Sequence, residues 1–184
     1  MEICSIILSA GKGSRMLSST PKPLHTISGK TMLQWVIDAN QSAGIEKSII
    51  VAPQELDKFD IENKNVIKTI QKKPLGTGDA VKKATSLLND FQGAVLICFA
   101  DTPFITPKTL KKIVNSLNND NDLVLTGFKK FDKNKYGKII FDNNKKPCEV
   151  VEYKDNKING VDSIFCNGGI MGIHSSCLAH LNKI

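Results

Sequence analysis

Short apolar runs alternate with stretches of helical periodicity along the first two thirds of the chain. Uninterrupted apolar runs are typical of parallel strands buried on both faces, and apolar residues three and four positions apart are typical of helices. The predicted strands comprise residues 3–8, 48–52, 66–70, 94–100 and 122–128, and the predicted helices residues 30–43, 79–88 and 106–117. This order predicts right-handed βαβ crossovers, and therefore an α/β fold with a mixed, mostly parallel sheet flanked by helices.

The regular alternation stops after residue 128, where a polar segment begins. Short strands are predicted beyond it at residues 139–141, 149–153 and 170–173, with Asn- and Lys-rich turns between them and a final helix from Ser175. We expect this part of the chain to form a wall against which a second substrate sits.

Length and composition predict one domain over residues 1–184. At 184 residues and 41% hydrophobic, such a chain buries roughly 70% of its extended surface. The apolar runs have the length of strands, and no basic segment precedes a hydrophobic one. The sequence therefore predicts neither a transmembrane helix nor a secretory signal, and we expect a cytoplasmic protein.

The cysteines and histidines indicate no metal or disulfide chemistry. The five cysteines are odd in number and form no C-x-x-C pair, and Cys4 and Cys98 fall within predicted strands, where a thiol packs as a small apolar group. His174 and His180 are six positions apart, which is not the i, i+4 spacing of a helical zinc site.

The net charge of +7 allows two interpretations. The lysine pairs are scattered and aromatic residues make up only 6%, so a stacking platform for nucleic acid is poorly supported and a solvated lysine surface is favoured. The same positive field attracts a small polyanion such as a nucleoside triphosphate.

A glycine-rich, cationic loop follows the first predicted strand. It reads L-S-A-G-K-G-S-R-M-L-S-S-T-P-K from Leu8 to Lys22 and contains no acid. Gly11 and Gly13 allow successive amides to turn towards one anion, and Arg15, the only arginine in the chain, offers a planar fork for phosphate. Neither the Walker pattern nor G-x-G-x-x-G is present, so the residues alone leave a phosphate-binding loop and a plain flexible turn as the alternatives.

Two further segments place polar groups at the ends of predicted strands. Asp101 follows the most apolar strand, where ligands bind in open α/β sheets, and suits either a magnesium ligand or the start of a turn before Thr102-Pro103. The run Q-K-K-P-L-G-T-G-D begins at Gln71 and leads into a helix, so it predicts either an anion-binding helix start or a glycine turn with Asp79 as the N-cap.

These motifs together resemble a known family. L-S-A-G-K-G-S-R-M with Pro21-Lys22 is similar to the signature L-x-x-G-x-G-T/S-R-M…P-K of sugar-1-phosphate nucleotidylyltransferases. Leu24-His25, Gly29-Lys30 and the Q-x-x-x-L-G-T-G run resemble the bacterial N-acetylglucosamine-1-phosphate uridylyltransferases, the N-terminal halves of bifunctional GlmU-type enzymes. The resemblance implies their Rossmann-like nucleotide-diphospho-sugar transferase fold.

The resemblance also implies roles for individual residues. It implies nucleotide binding by the loop and by the segment that reads uracil, with Arg15 and Lys22 as catalytic cations and Asp101 as the ligand of a Mg²⁺ cofactor. The implied nucleotide-binding residues are Leu8, Ser9, Ala10, Gly11, Gly13, Gln71, Gly76 and Thr77. Phe99 and Ala100 stand where the family has Tyr and Gly before its metal-binding Asp.

Three residues of the second half match family positions that contact the amino sugar. They are Gly137 in Y-G-K-I, Glu152 in V-E-Y-K-D and Asn167 in C-N-G-G-I. An acid and an amide supply the acceptors and donors that sugar hydroxyls and an acetamide need. The residues alone favour the plainer alternative, in which Glu152 is a surface charge and Asn167 belongs to a turn.

The implied reaction joins UTP to N-acetylglucosamine-1-phosphate and releases pyrophosphate. The motifs leave open a nucleotidylyltransferase for another sugar phosphate or cofactor, and a shortened relative that binds nucleotide without turnover. Relative to the family, the chain lacks the segment that supplies a second metal ligand, an Asn, and the acetyltransferase β-helix domain.

Overall fold

The computed structural model describes residues 1–11, 16–56, 61, 64–73, 75–118, 121–131, 134–153 and 165–183. The chain forms two compact units, the first comprising Met1–Val124 with Met171–Ile184 and the second Leu125–Ile170. The strands are β1 (Glu2–Leu8), β2 (Thr26–Ile27), β3 (Lys30–Thr31), β4 (Lys47–Pro53), β5 (Val66–Gln71), β6 (Gly93–Phe99), β7 (Leu123–Lys129), β8 (Lys138–Phe141), β9 (Pro147–Val151) and β10 (Phe165–His174). The helices are α1 (Met32–Ser42), α2 (Thr77–Thr85) and α3 (Pro107–Leu117), with 3₁₀ turns at Lys22–Leu24, Gln54–Leu56 and Ser175–Lys183.

Strand β1 is the central strand of the first unit. It pairs in parallel with β4 on one side and with β6 on the other, so that Ile6 lies between Ile49 and Ile97. Strand β5 continues the parallel order beyond β4, and residues 171–174 of β10 run antiparallel to β6. The predicted α/β class with a mixed, mostly parallel sheet is confirmed.

Both faces of this sheet are covered, which explains the uninterrupted apolar runs. Ile6 and Leu8 join a buried cluster with Val81 and Ala84 of α2 on one face. On the other face, α3 packs so closely over β6 and β10 that a Cβ at Gly172 would lie 2.5 Å from Ile113 Cγ2. Each fully buried aliphatic side chain in these layers contributes about 1.5–3 kcal/mol.

The helix boundaries differ from the prediction at both α1 and α2. Helix α1 begins at Met32 rather than at residue 30, because Lys30–Thr31 pairs with β2 across a tight turn at Ser28 and Gly29, where φ is 52° and 79°. Thr31 then caps the helix, accepting a 3.1 Å hydrogen bond from the Gln34 amide. Helix α2 spans Thr77–Thr85 instead of residues 79–88.

Two elements in the last third of the chain also differ from the prediction. The strand predicted at 170–173 is part of the longer β10, and the helix predicted from Ser175 is 3₁₀ rather than α. Within the described residues, no helix combines the length and apolar character required to cross a bilayer.

The second unit is antiparallel. Strands β8 and β9 form a hairpin with Ile139 opposite Val150, and Cys166 of β10 lies opposite Lys138 of β8. Thr126 of β7 donates a 2.6 Å hydrogen bond to the Ile170 carbonyl oxygen. The Lys138 ammonium is buried and donates to Cys166 Sγ at 3.2 Å, which ties β8 to β10.

The start of β6 generates a stability prediction. Gly93 has a φ of +156°, and a Cβ there would lie 2.1 Å from the Glu2 carbonyl oxygen. We expect Gly93→Ala to lower the free energy of unfolding by about 3 kcal/mol, because the backbone of β1 must move to relieve the clash. Urea denaturation measures the change.

Gly78→Ala is the matched control. A Cβ at Gly78 meets nothing within 4 Å, and alanine is favoured inside α2, so stability should stay the same or rise by up to about 1 kcal/mol. Equal stabilities for the two variants would contradict the close approach of β1 to Gly93.

The buried thiols generate a second prediction. Burial raises the pKa of Cys4 from 9.0 to about 11 and that of Cys98 from 9.0 to about 12, whereas Cys148 is exposed. Because the folded pKa values are raised, both thiols favour the fold below pH 9.0, and this contribution is lost as the pH rises through about 11 to 12.

We therefore expect a thiolate-specific disulfide reagent at pH 8 to label Cys148 rapidly and to leave Cys4 and Cys98 unlabelled until the protein unfolds. Peptide mass mapping with and without denaturant identifies the labelled positions. Labelling of Cys98 at the rate of Cys148 in native buffer would refute the burial of that strand.

Candidate functional site

A crevice of about 190 Å³ opens in the first unit where parallel strands end. The carboxyl ends of β1, β5 and β6 meet there with the start of α2, as expected for ligand sites in open α/β sheets. It is lined by Leu8, Ser9, Ala10, Gly11, Lys22, Pro23, Gln71, Gly76, Thr77, Ala80, Phe99, Ala100 and Asp101. Sequence reasoning had selected most of these residues from three separate segments, and the fold brings them together.

The loop that leaves β1 is held by its neighbouring strands. Ser9 donates to the Val51 carbonyl oxygen through both its amide and its hydroxyl, each at 2.9 Å. On the other side, the Ala100 amide donates to the Leu8 carbonyl oxygen at 3.0 Å. The first residues of the predicted phosphate loop are therefore fixed at the edge of the crevice.

The rest of that loop contains the second glycine and the arginine of the predicted phosphate-binding motif. Gly13 and Arg15 lie outside the described residues, so their predicted roles stay predictions. A Cβ at Gly11 would meet nothing within 4 Å, so packing within the described chain does not require glycine there. A glycine at this position leaves the backbone open to close approach by a ligand.

Lys22 and Asp101 form an ion pair across the crevice. The Lys22 Nζ lies 2.5 Å from Asp101 Oδ2, although the residues are 79 positions apart in sequence. Both side chains are about one third exposed, at 31% and 37%, so the pair adds at most about 1 kcal/mol to stability. Sequence reasoning gave the two residues separate roles and missed their contact.

The segment between β5 and α2 brings a buried amide to the crevice. Gly76 precedes α2 with a φ of 120°, and no side chain caps the helix. Gln71 is 3% exposed, and its Nε2 donates to Asp79 Oδ2 at 2.6 Å and to the Gly76 carbonyl oxygen at 3.3 Å. Asp79 is therefore not the N-cap of the alternative interpretation, because it lies inside the first turn and binds Gln71.

The described residues offer one carboxylate in the crevice for a metal. Among them, no group of three His, Cys, Asp or Glu side chains is arranged to hold an ion. A single carboxylate together with substrate phosphates and waters is nevertheless a donor set that Mg²⁺ accepts. Asp101 therefore fits magnesium, provided that the substrate supplies the other ligands.

The three predicted sugar-binding residues lie together in the second unit. The backbone N–H of Asn167 donates to the Gly137 carbonyl oxygen at 2.8 Å, and the Asn167 side-chain Oδ1 accepts from the Gly169 amide at 3.0 Å, as in a turn. The carboxylate of Glu152 approaches Gly137 so closely that a Cβ there would lie 2.8 Å from Glu152 Oε1. The chain thus brings the Glu152 carboxylate and the Asn167 backbone together at Gly137.

Sequence reasoning missed some of the crevice wall. Pro23 and Ala80 were not selected, and Phe99 and Ala100 were noted only as departures from the family pattern. Pro23 follows the selected Lys22 directly, and Ala80 lies one helical turn after Gly76. The sequence indicated Pro23 and Ala80 only through their closeness to residues that the motifs had selected.

Comparisons with known proteins agree on the kind of domain. Residues 5–157 match the family model described as the MobA-like NTP transferase domain. The "Bifunctional protein GlmU" of Parvibaculum lavamentivorans is 34% identical over 181 residues, covering 96% of this chain and 40% of that protein. The GlmU protein of Caldanaerobacter subterraneus subsp. tengcongensis is 38% identical over 156 residues, covering 84% of this chain and 34% of that protein. The chain thus spans about 40% or less of the length of these relatives.

Solved structures show the same fold. A UDP-glucose pyrophosphorylase complexed with UDP-glucose superposes with a TM-score of 0.78 at 19% identity, covering 100% of this chain and 80% of that chain. A putative glucose-1-phosphate thymidylyltransferase from Bacillus anthracis superposes with a TM-score of 0.76 at 16% identity, covering 99% and 75%. At these identities the likeness extends to the fold alone.

Proposed function

Since the chain belongs to the MobA-like NTP transferase domain family, we propose that it transfers a uridylyl group from UTP to N-acetylglucosamine-1-phosphate, giving UDP-N-acetylglucosamine and pyrophosphate. The sugar-nucleotide motifs and the identity to GlmU proteins support this choice within the family. Because nucleoside triphosphates are made inside cells, the proposed activity belongs in the cytoplasm.

One observation carries the proposal. The start of the glycine loop, Lys22, the Gln71 segment and Asp101 come from distant parts of the sequence and line a single crevice at the ends of parallel strands. A nucleoside triphosphate needs cations and amides for its phosphates and an amide side chain for its base. The described lining offers the Lys22 ammonium, the amides of the loop and of the start of α2, and the Gln71 carboxamide.

The chemistry requires no general base from the chain. The attacking group is a phosphate monoester with a second pKa of about 6, so it is already ionised at neutral pH. The protein's task is to hold two mutually repelling anions in line and to neutralise the charge that develops on the leaving pyrophosphate.

Lys22 and the uncapped start of α2 provide positive groups for the phosphates. Asp101 would hold Mg²⁺, which when bound supplies charge neutralisation on the triphosphate. With Asp101 occupied in this way, the ammonium of Lys22 would be free to bind a phosphate oxygen. Arg15 adds a guanidinium to the same loop.

The residues proposed to contact the sugar belong to the second unit. Glu152 offers a carboxylate to sugar hydroxyls, and Asn167 offers both a donor and an acceptor to an acetamide. Gly137 allows the Glu152 carboxylate to approach the backbone, because a Cβ there would lie 2.8 Å from Glu152 Oε1.

Pyrophosphate release tests the proposed reaction directly. We expect release with UTP and N-acetylglucosamine-1-phosphate to exceed that with ATP, GTP or CTP, and to exceed that with glucose-1-phosphate. Higher turnover of another pair would assign a different nucleotidylyltransferase activity. Calorimetric binding of UTP without product formation would instead assign a nucleotide-binding relative that does not turn over.

Removal of the Asp101 charge tests the proposed magnesium ligand. We expect Asp101→Asn to lower magnesium-dependent turnover at least about 100-fold, because an amide binds a hard cation more weakly than a carboxylate. Magnesium-dependent tightening of UTP binding, measured by calorimetry, should be lost in the same variant.

Asp90→Asn is the control, since Asp90 is an exposed acid that does not line the crevice. It should retain wild-type turnover and magnesium dependence. If Asp101→Asn behaved like Asp90→Asn, Asp101 would be only a turn residue.

A further inference from the structure

The orientation of the Gln71 carboxamide is determined by its surroundings. Its Nε2 faces Asp79 Oδ2 at 2.6 Å and the Gly76 carbonyl oxygen at 3.3 Å. A carboxylate and a carbonyl oxygen accept hydrogen bonds and cannot donate them. The nitrogen must therefore point at both, since the reverse orientation would place three oxygens against one another.

The other end of the carboxamide, Gln71 Oε1, makes no hydrogen bond within the described chain. Within the described chain, Asn40 Oδ1 is the only side-chain nitrogen or oxygen that is both fully buried and without a hydrogen bond. Gln71 Oε1 is therefore not fully buried. Gln71 is 3% exposed and lines both this crevice and an adjoining one that shares Ala10 and Gly11 with it, so a ligand held at the start of the glycine loop can reach Oε1.

Asp79 is the stronger of the two partners that impose this orientation. Its bond to Gln71 is short and involves a charged acceptor, and such bonds are about twice as strong as neutral ones. Both residues lie on regular elements, Gln71 at the end of β5 and Asp79 in the first turn of α2. The carboxamide is thus held before any ligand arrives.

We propose that Asp79 is a specificity-determining positioning residue, which holds Gln71 Nε2 so that Oε1 faces the crevice and selects a base with an imide N–H. The role rests on the proposed nucleotidyl transfer, because a base has to enter the crevice. Uracil presents N3–H as a donor to this oxygen. Cytosine presents a lone pair at the same position, and two acceptors repel one another.

The test compares UTP with CTP in calorimetric binding to wild-type protein and to two variants. In Asp79→Ala the carboxamide can rotate and donate to cytosine N3, so the preference for UTP over CTP should fall about tenfold. Asp79→Asn removes the same charge but keeps an oxygen that accepts from Gln71 Nε2, so it should retain most of the wild-type preference.

The ratio of the two affinities is the diagnostic quantity, because a general loss of structure weakens both nucleotides alike. Thermal unfolding checks that each variant is folded. Asp79→Ser, which is too short to reach Gln71 and suits the first turn of a helix, replaces the alanine variant if that one does not fold.

The possible results separate this role from the proposed reaction. An unchanged UTP preference in folded Asp79→Ala, or a wild-type protein that binds CTP as tightly as UTP, would overturn the role of Asp79. Pyrophosphate release by the wild-type protein would still support nucleotidyl transfer in that case. Folded wild-type protein that binds neither nucleotide would overturn both.

Discussion

The parallel pairing of β1 between β4 and β6 is the constraint on which the first unit depends. Because all three strands run the same way, their carboxyl ends meet at one edge, and the segments that follow them must share that edge. The helices that connect them bury both faces of the sheet. The crevice is thus a consequence of strand direction, and its polar residues do not have to hold it together.

Sequence patterns predicted the elements of the first unit well, because strands buried on both faces leave continuous apolar runs. They failed where local structure depends on a contact between neighbouring segments. Lys30 has the helical spacing of the residues that follow it, but its backbone pairs with Ile27, so the helix begins later. The length of β10 was likewise underestimated, because its polar start around Asn167 is stabilised by pairing rather than by apolar residues.

The candidate site was predictable to the extent that its residues lie in recognisable local motifs. The glycine loop, the run after β5 and the acid after β6 were all found in this way. The contact of Lys22 with Asp101 and that of Gln71 with Asp79 could not be found, because both depend on the path of the chain in three dimensions. Gln71 ends a strand and Asp79 lies in the following helix, so no period of a single element relates them and no pattern marks them as partners.

The ion pair between Lys22 and Asp101 has a consequence for how ligands of opposite charge affect one another. An anion that binds Lys22 leaves the Asp101 carboxylate without its counter-charge. A cation that binds Asp101 likewise leaves the Lys22 ammonium unpaired. Each ligand therefore frees the side chain that the other ligand binds. By thermodynamic reciprocity, the two ligands should bind with positive cooperativity. Without them, the charges of Lys22 and Asp101 cancel each other.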